Sequence, residues 1–265
     1  MSKTKIFLTI GLLLIGAGII LLLFLPSSRQ EEPSPPTQAQ GVNLYGYDEE
    51  ALSWGIEARE GKMKDDKGSL SEVEVIFYTD GKERLQARAD TLTFEKREVT
   101  LSGNVEVIRH DGYHLQTEAI TWVEAVGELT ATRVRITSTK ASLEAGQFRY
   151  DLKSEHSFLE EGVTATLLDR SPPLHIVGDK AEEKDGRLIL TGGVVVQGGE
   201  ETYHCARITY DPGTEETQLS GEVNGTLPSG TIRAELVTLS SDGISAGGGV
   251  RLLLNHRFFE GTDSA

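Results

Sequence analysis

The sequence predicts an all-β protein: an elongated, twisted stack of repeated hairpins, preceded by one N-terminal transmembrane helix. Three observations predict it. Apolar and polar residues alternate with period two along most of the chain beyond residue 42. A two-strand pattern recurs about every 29 residues. Proline is excluded from a long central stretch: four of the eight prolines lie in residues 26–36 and none in residues 37–171, as a paired sheet requires.

The helix comes first. Residues 6–25, IFLTIGLLLIGAGIILLLFL, carry no charge. At a rise of about 1.5 Å per residue, they span roughly the 30 Å of a hydrocarbon layer. Lys3 and Lys5 precede the run and only Arg29 follows closely. The positive-inside rule then places residues 1–5 in the cytoplasm as a short tail and the remainder outside. A cleaved signal peptide fits less well, because its apolar region is shorter and LPSSRQ lacks a small-x-small site. Residues 26–41, PSSRQEEPSPPTQAQG, have the composition of a flexible linker.

The repeat defines the rest. Its clearest copies are VTLSGNVEV (99–107), LILTGGVVV (188–196), TQLSGEVNG (217–225) and ISAGGGVRL (244–252). Weaker copies surround Val73, Val134 and Val163. The seven anchoring valines, 73, 105, 134, 163, 194, 223 and 250, are spaced by 27 to 32 residues. A companion strand lies upstream of each, opening on a small residue: ADTLTF (89–94), TEAITW (117–122), AGQFRY (145–150), CARITY (205–210) and AELVTL (234–239). Ala58 and Gly178 open degenerate copies. Seven units of two strands predict roughly fourteen strands. Such a unit cannot cover its own apolar face alone, so neighbours must stack. Pro172-Pro173 interrupts the pattern and suggests a seam between a block at residues 42–168 and a block at 174–256, with a tail at 257–265. Glycine recurs at one height, at 103, 192, 221 and 248. A missing side chain there either opens an interior groove or lets the sheet coil.

Several function classes are set aside. Twenty-six Lys and Arg stand against forty-one Asp and Glu, a formal net charge of −15. A polyanion is repelled by phosphate backbones, so no nucleic-acid partner is expected. The single cysteine, Cys205, excludes an intrachain disulfide and a thiolate metal cage, and it occupies a repeat position usually held by alanine. Residues 243–247 match G-x-S-x-G, but a nucleophile elbow needs a strand, a turn and a helix, whereas a strand follows here. His110 and His114 are four apart, a chelating spacing on a helix but about 13 Å apart along a strand. No phosphate-binding G-x-x-x-x-G-K-[ST] loop is present. No catalytic residue, no metal site and no cofactor is expected; the chain reads as a non-enzyme.

The order of motifs resembles the LptC family, the inner-membrane-anchored periplasmic component of the lipopolysaccharide exporter. The matching features are the N-terminal anchor and stalk, Trp54 with Ala58, the Val73–Tyr78 strand, Ala87–Asp90, LSGNVEV, and the run from Gly112 to Trp122. The resemblance covers about residues 1–168. The remainder looks like LptA and the related organic-solvent-tolerance modules. The resemblance implies a twisted β-jellyroll with an open edge that holds lipopolysaccharide acyl chains inside. It further implies docking to the transmembrane subunits of an export ABC transporter and transfer toward a downstream LptA-like bridge protein.

A shelter for acyl chains should consist of inward, apolar side chains with few fixed polar anchors. The candidates are Leu92, Phe94, Leu101, Val105, Val107, Ile120, Trp122, Val134, Ile136, Phe148 and Tyr150. A sheet stack must also end, and an unpaired strand invites strand addition. The candidate docking edge is the last strand, with Val250, Leu252, Leu253 and Leu254. The rival expectation is a membrane-tethered structural or carbohydrate-contacting β-repeat module without lipid transfer. It would carry its aromatics on outward positions.

Overall fold

A computed structural model describes residues 37–48, 51–64, 67–95, 98–240 and 243–254. The expected transmembrane helix, residues 6–25, lies outside them, as do residues 26–36 and the tail from residue 255. Among the described residues no helix is long and apolar enough to cross a membrane. The elements of the described residues are all β-strands, paired antiparallel. The chain forms two compact units, 1–111 and 112–265.

The first unit is a meander of five long strands: β1 (Thr37–Asp48), β2 (Ala51–Lys64), β3 (Lys67–Thr79), β4 (Lys82–Glu95) and β5 (Glu98–Arg109). Each pairs with the next. β1 begins at Thr37, so the last five residues of the expected linker, Thr37–Gly41, are strand instead. They pair with Gly61–Met63 and their neighbours on β2, which supplies hydrogen bonds that their polar composition does not advertise.

The second unit contains β6 (His114–Val123), β7 (Glu128–Thr137), β8 (Ala141–Asp151), β9 (His156–Glu160), β10 (Val163–Leu167), β11 (Leu174–Gly178), β12 (Lys180–Lys184), β13 (Arg187–Gly198), β14 (Glu201–Asp211), β15 (Glu216–Leu227), β16 (Gly230–Ser240), β17 (Gly243–Gly247) and β18 (Arg251–Leu254). Three of the expected strands are broken in two. β9 and β10 both pair with β8, and β11 and β12 both pair with β13. β17 and β18 likewise share β16. The expected seam at Pro172-Pro173 falls inside this unit, in the loop between the paired strands β10 and β11.

The repeat has a structural meaning. Five of the seven anchoring valines sit opposite the small residue that opens the next copy: Val73 with Ala89, Val134 with Ala145, Val163 with Gly178, Val194 with Cys205, and Val223 with Ala234. Immediately before several of these valines the register slips, for example between Thr191 and Val194 and between Ser220 and Val223. The two residues ahead of the valine are left-handed there: Gly103 (φ 78°) with Asn104 (47°), and Gly192 (83°) with Gly193 (55°). These are β-bulges, which coil the sheet and increase its twist.

The bulges decide what the recurring glycines do. A Cβ on Gly103 would meet Asp90 Oδ2 at 2.6 Å, and one on Gly192 would meet Asp179. Both acidic residues are exposed. The glycines therefore face outward, beneath the side chain that follows the small residue, and do not open the interior.

The second unit also folds over on itself. From β8 to β14 the hydrogen-bonded path crosses β10, β11 and β13, roughly 19 Å at about 4.8 Å per step. Yet Lys140 Nζ, ahead of β8, donates to Pro212 O at 2.7 Å and to Glu215 at 2.8 Å, both just beyond β14. Tyr210 on β14 donates its phenol to Asp169, beyond β10. Curvature of the sheet, with the bulges as its cause, brings these loops together over one end of the interior.

Substituting Gly192→Ala adds a left-handed penalty of roughly 1–2 kcal/mol and a contact with Asp179. Gly193→Ala adds only the former, since nothing lies within 4 Å of its Cβ position. Urea denaturation is expected to rank Gly192→Ala as the more destabilising of the two.

Candidate functional site: the inward apolar face

Cross-strand register joins the inward side chains into rows. In the first unit Leu44, Ile56, Val75, Ala87 and Val107 form one row, and Leu70, Leu92 and Leu101 part of another. In the second unit one row runs Ile120, Ala131, Phe148, Leu159, Ala181, Leu190, Ile208, Leu219, Val237, Ala246. A neighbouring row starts Trp122, Leu129, Tyr150. Period-two alternation places apolar residues on one face of each strand, and antiparallel pairing aligns them across strands.

Ten of the eleven inward candidates are buried, namely Leu92, Leu101, Val105, Val107, Ile120, Trp122, Val134, Ile136, Phe148 and Tyr150. Phe94 is half-buried, its ring lying over Gly68 on β3. Leu92, Phe94, Leu101, Val105 and Val107 belong to the first unit and the remainder to the second. Phe148 and Tyr150 stack with ring centroids 6.5 Å apart. Ile176, Leu190, Val196, Tyr203, Ile208, Leu219 and Val237 are wholly inaccessible at 0 %, whereas Ile136 and Phe148 retain 9 % and 8 %. Leu188, Cys205 and Ala234 on β13, β14 and β16 keep comparable traces, at 7 %, 8 % and 7 %, so no strand from β6 to β16 is markedly more open than the rest.

Polar groups are few on this face. Thr217 on β15 is fully buried, and its hydroxyl has no hydrogen-bond partner. Tyr203 directs its phenol to Glu201 at 3.0 Å. Burial, then the carboxylate beside each, raises the Tyr203 and Tyr210 phenols above the ordinary tyrosine range. Burial pushes the Cys205 thiol up to about 11, so it stays a protonated, unreactive core group. It lies opposite Val194, while His204 points to the exposed face. Among the described residues no group of three His, Cys, Asp or Glu is placed to hold a metal. The G-x-S-x-G segment is β17, with a bend and then β18 after it, and Ser245 pairs with Thr238. No elbow forms there.

The edge at β17 and β18 differs from the interior. Ile244, Leu252 and Leu254 continue inward rows yet are about half exposed, at 45 %, 51 % and 49 %, and Leu253 on the other face reaches 72 %. Among the described residues both strands pair only with β16. Val250, expected as the first residue of this strand, precedes it: β18 starts at Arg251, after a bend at Gly248-Gly249. Their left-handed backbone (φ 70° and 57°) breaks the strand before the valine.

A tall apolar face with an unpaired edge is what this geometry provides, and the sequence comparisons give it a family. The profile of the family described as Lipopolysaccharide-assembly, LptC-related, matches residues 9–169. The chain belongs to that family. LptC-related membership assigns the chain a role in lipopolysaccharide assembly. No curated relative matches the sequence. Among solved structures the chain is similar to LptH of Pseudomonas aeruginosa, the LptA homologous periplasmic component of its lipopolysaccharide transport device. The identity is 11 %, over 54 % of this chain and 94 % of that one, with a TM-score of 0.38.

The loops over the closed end predict a pH dependence. Hydrogen bonding from Lys140 holds the Glu215 carboxyl below its ordinary value, and that from Lys180 does the same for Glu160. Backbone N–H donors from the following turns lower Asp151 and Asp211. A depressed folded-state pKa contributes stability above the unfolded value and loses it as pH falls through the folded one. Stability of the second unit is therefore expected to fall on acidification below about pH 4.5, the ordinary glutamate value. Tyr210→Phe leaves Asp169 without its donor and should cost about 1–3 kcal/mol at neutral pH. Denaturation midpoints measured from pH 7 to pH 3 check both.

Proposed function

We propose that this chain is a membrane-anchored, periplasmic lipid-transfer scaffold. It accepts lipopolysaccharide from an inner-membrane ABC transporter and passes it along a β-jellyroll bridge toward the outer membrane. The observation that carries the reading is the inward row of the second unit, unbroken in register from Ile120 to Ala246, in a member of the LptC-related family. Residues 6–25 anchor it in the inner membrane, and residues 26–36 hold the strands away from the bilayer. The chain is a scaffold rather than an enzyme. The ATPase of the transporter supplies the work.

The physics is that of a shielded relay. Each CH₂ left in water costs about 0.8 kcal/mol, so several acyl chains cannot leave a bilayer unprotected. An inward face of valine, leucine, isoleucine and aromatic side chains removes that cost without fixing the lipid by directional bonds. The sugars stay outside. In the first unit the half-buried Phe94, and in the second unit Ile136 and Phe148, which keep some access, are the positions proposed to meet the lipid first. Strands β11–β16 form an LptA-like continuation that receives the lipid next. At the far end the exposed Leu252, Leu253 and Leu254, with Val250 beside them, accept an edge strand of the downstream bridge protein.

Photo-crosslinkers at Phe94 and Trp122 are expected to capture lipopolysaccharide during ATP-driven extraction. Crosslinks confined to outward positions such as Thr93 and Thr121 would reject the interior as the lipid path. Deleting residues 249–265 is expected to abolish co-purification with the downstream bridge protein, and unchanged recovery would reject the edge as its dock.

A further inference from the structure

One concave site lies on the opposite, outward face. Four adjacent strands of the second unit, β6 to β9, present alternate residues there in two aligned rows. Thr121, Thr130, Arg149 and Phe158 are successive cross-strand partners, and Thr132, Gln147 and Glu160 form the next row. Together with Ala119, Ala131 and Phe148 they line a depression of about 400 Å³, within the range of small-molecule sites. Its floor is made of short side chains, and Arg149 and Phe158 stand at its side.

The side is pre-organised. The Arg149 guanidinium lies over the Phe158 ring at 4.4 Å from its centroid and is steadied by Glu128 at 3.5 Å. That stacking fixes the plane of a group that presents several N–H donors to solvent. Gln147 is held by Glu161 at 2.5 Å, and Glu160 by Lys180 at 2.6 Å. The hydrogen bond and charge of Lys180 keep Glu160 ionised, as an acceptor. Each cation at the site is matched by a carboxylate, so the local field selects no anion. Three threonine hydroxyls both donate and accept. The ensemble is rich in hydrogen-bonding groups, close to neutral and has one apolar flank. It also lies in mid-sheet, with no free strand edge to pair a peptide.

We propose that the outward depression over β6–β9 is a binding site for a neutral saccharide, with Arg149, Gln147 and Glu160 bonding its hydroxyls and Phe158 packing against its apolar flank. Ala131 and Phe148, members of the inward row, also border the depression, so it adjoins the interior through the sheet.

The test is saturation-transfer NMR on the full chain in a detergent without a sugar head group. The probes are neutral oligosaccharides of glucose, galactose, mannose and N-acetylglucosamine, with inorganic phosphate in a separate titration. At least one oligosaccharide should receive saturation, and Arg149→Ala or Gln147→Ala should weaken its binding at least fivefold. Both side chains are exposed, so circular dichroism should be unchanged by either substitution. No transfer to any saccharide, affinity unaffected by both substitutions, or competition by phosphate at equal concentration would each overturn the assignment.

Discussion

The structure depends on one constraint: apolar side chains must keep cross-strand register over long strands without being sealed off by the twist. A period-two strand has a single face to bury, and a slip of one residue would turn that face to water. Here the slip is prevented at regular intervals. In five of the seven copies the anchoring valine sits against the small residue of the next strand, and in several a bulge just before the valine resets the alternation. The row from Ile120 to Ala246 is the visible consequence.

The two faces of the sheet do different physical work. The inner face stabilises by removing apolar surface from water. The outer face carries ion pairs such as Arg59 with Glu72, Arg133 with Glu118 and Arg135 with Glu144, all well exposed. Such pairs contribute little individually. Their value lies in keeping a wide sheet soluble while its interior remains oily. The closed end of the second unit is the exception, since Tyr210 and Asp169, with Lys140 and Glu215, join loops that are far apart in sequence and along the sheet.

Most of the strands were legible in the sequence because they obey a short-range rule. Val73, Val105, Val134, Val163, Val194 and Val223 all lie in strands, opposite or close to the small residues that open each copy. What escaped is non-local. The first five residues of β1 have a linker's composition, and only their pairing with β2 makes them a strand. Glu161-Gly162 splits β9 from β10 through two left-handed residues, one of them a glutamate that composition does not mark. The glycines at 103 and 192 read as inward by strict alternation, but the bulge turns them outward. The contact of Lys140 with Glu215 spans seventy-five residues and leaves no local trace. Phe158 was not singled out, because its short strand offers too few alternating residues to assign its face.

The central claim is that this inward face admits acyl chains, and the two tryptophans provide an internal probe of it. Trp54 lies against Gly46 and Trp122 in the row with Leu129 and Tyr150. The decisive measurement is fluorescence of the Trp54→Phe variant, which leaves Trp122 as sole emitter, mixed with lipopolysaccharide carrying brominated acyl chains. Bromine quenches only on close approach. Strong quenching by the brominated lipid, absent with its unbrominated counterpart and with short-chain brominated soluble analogues, is the predicted result. Emission unchanged at saturating lipid would contradict the account.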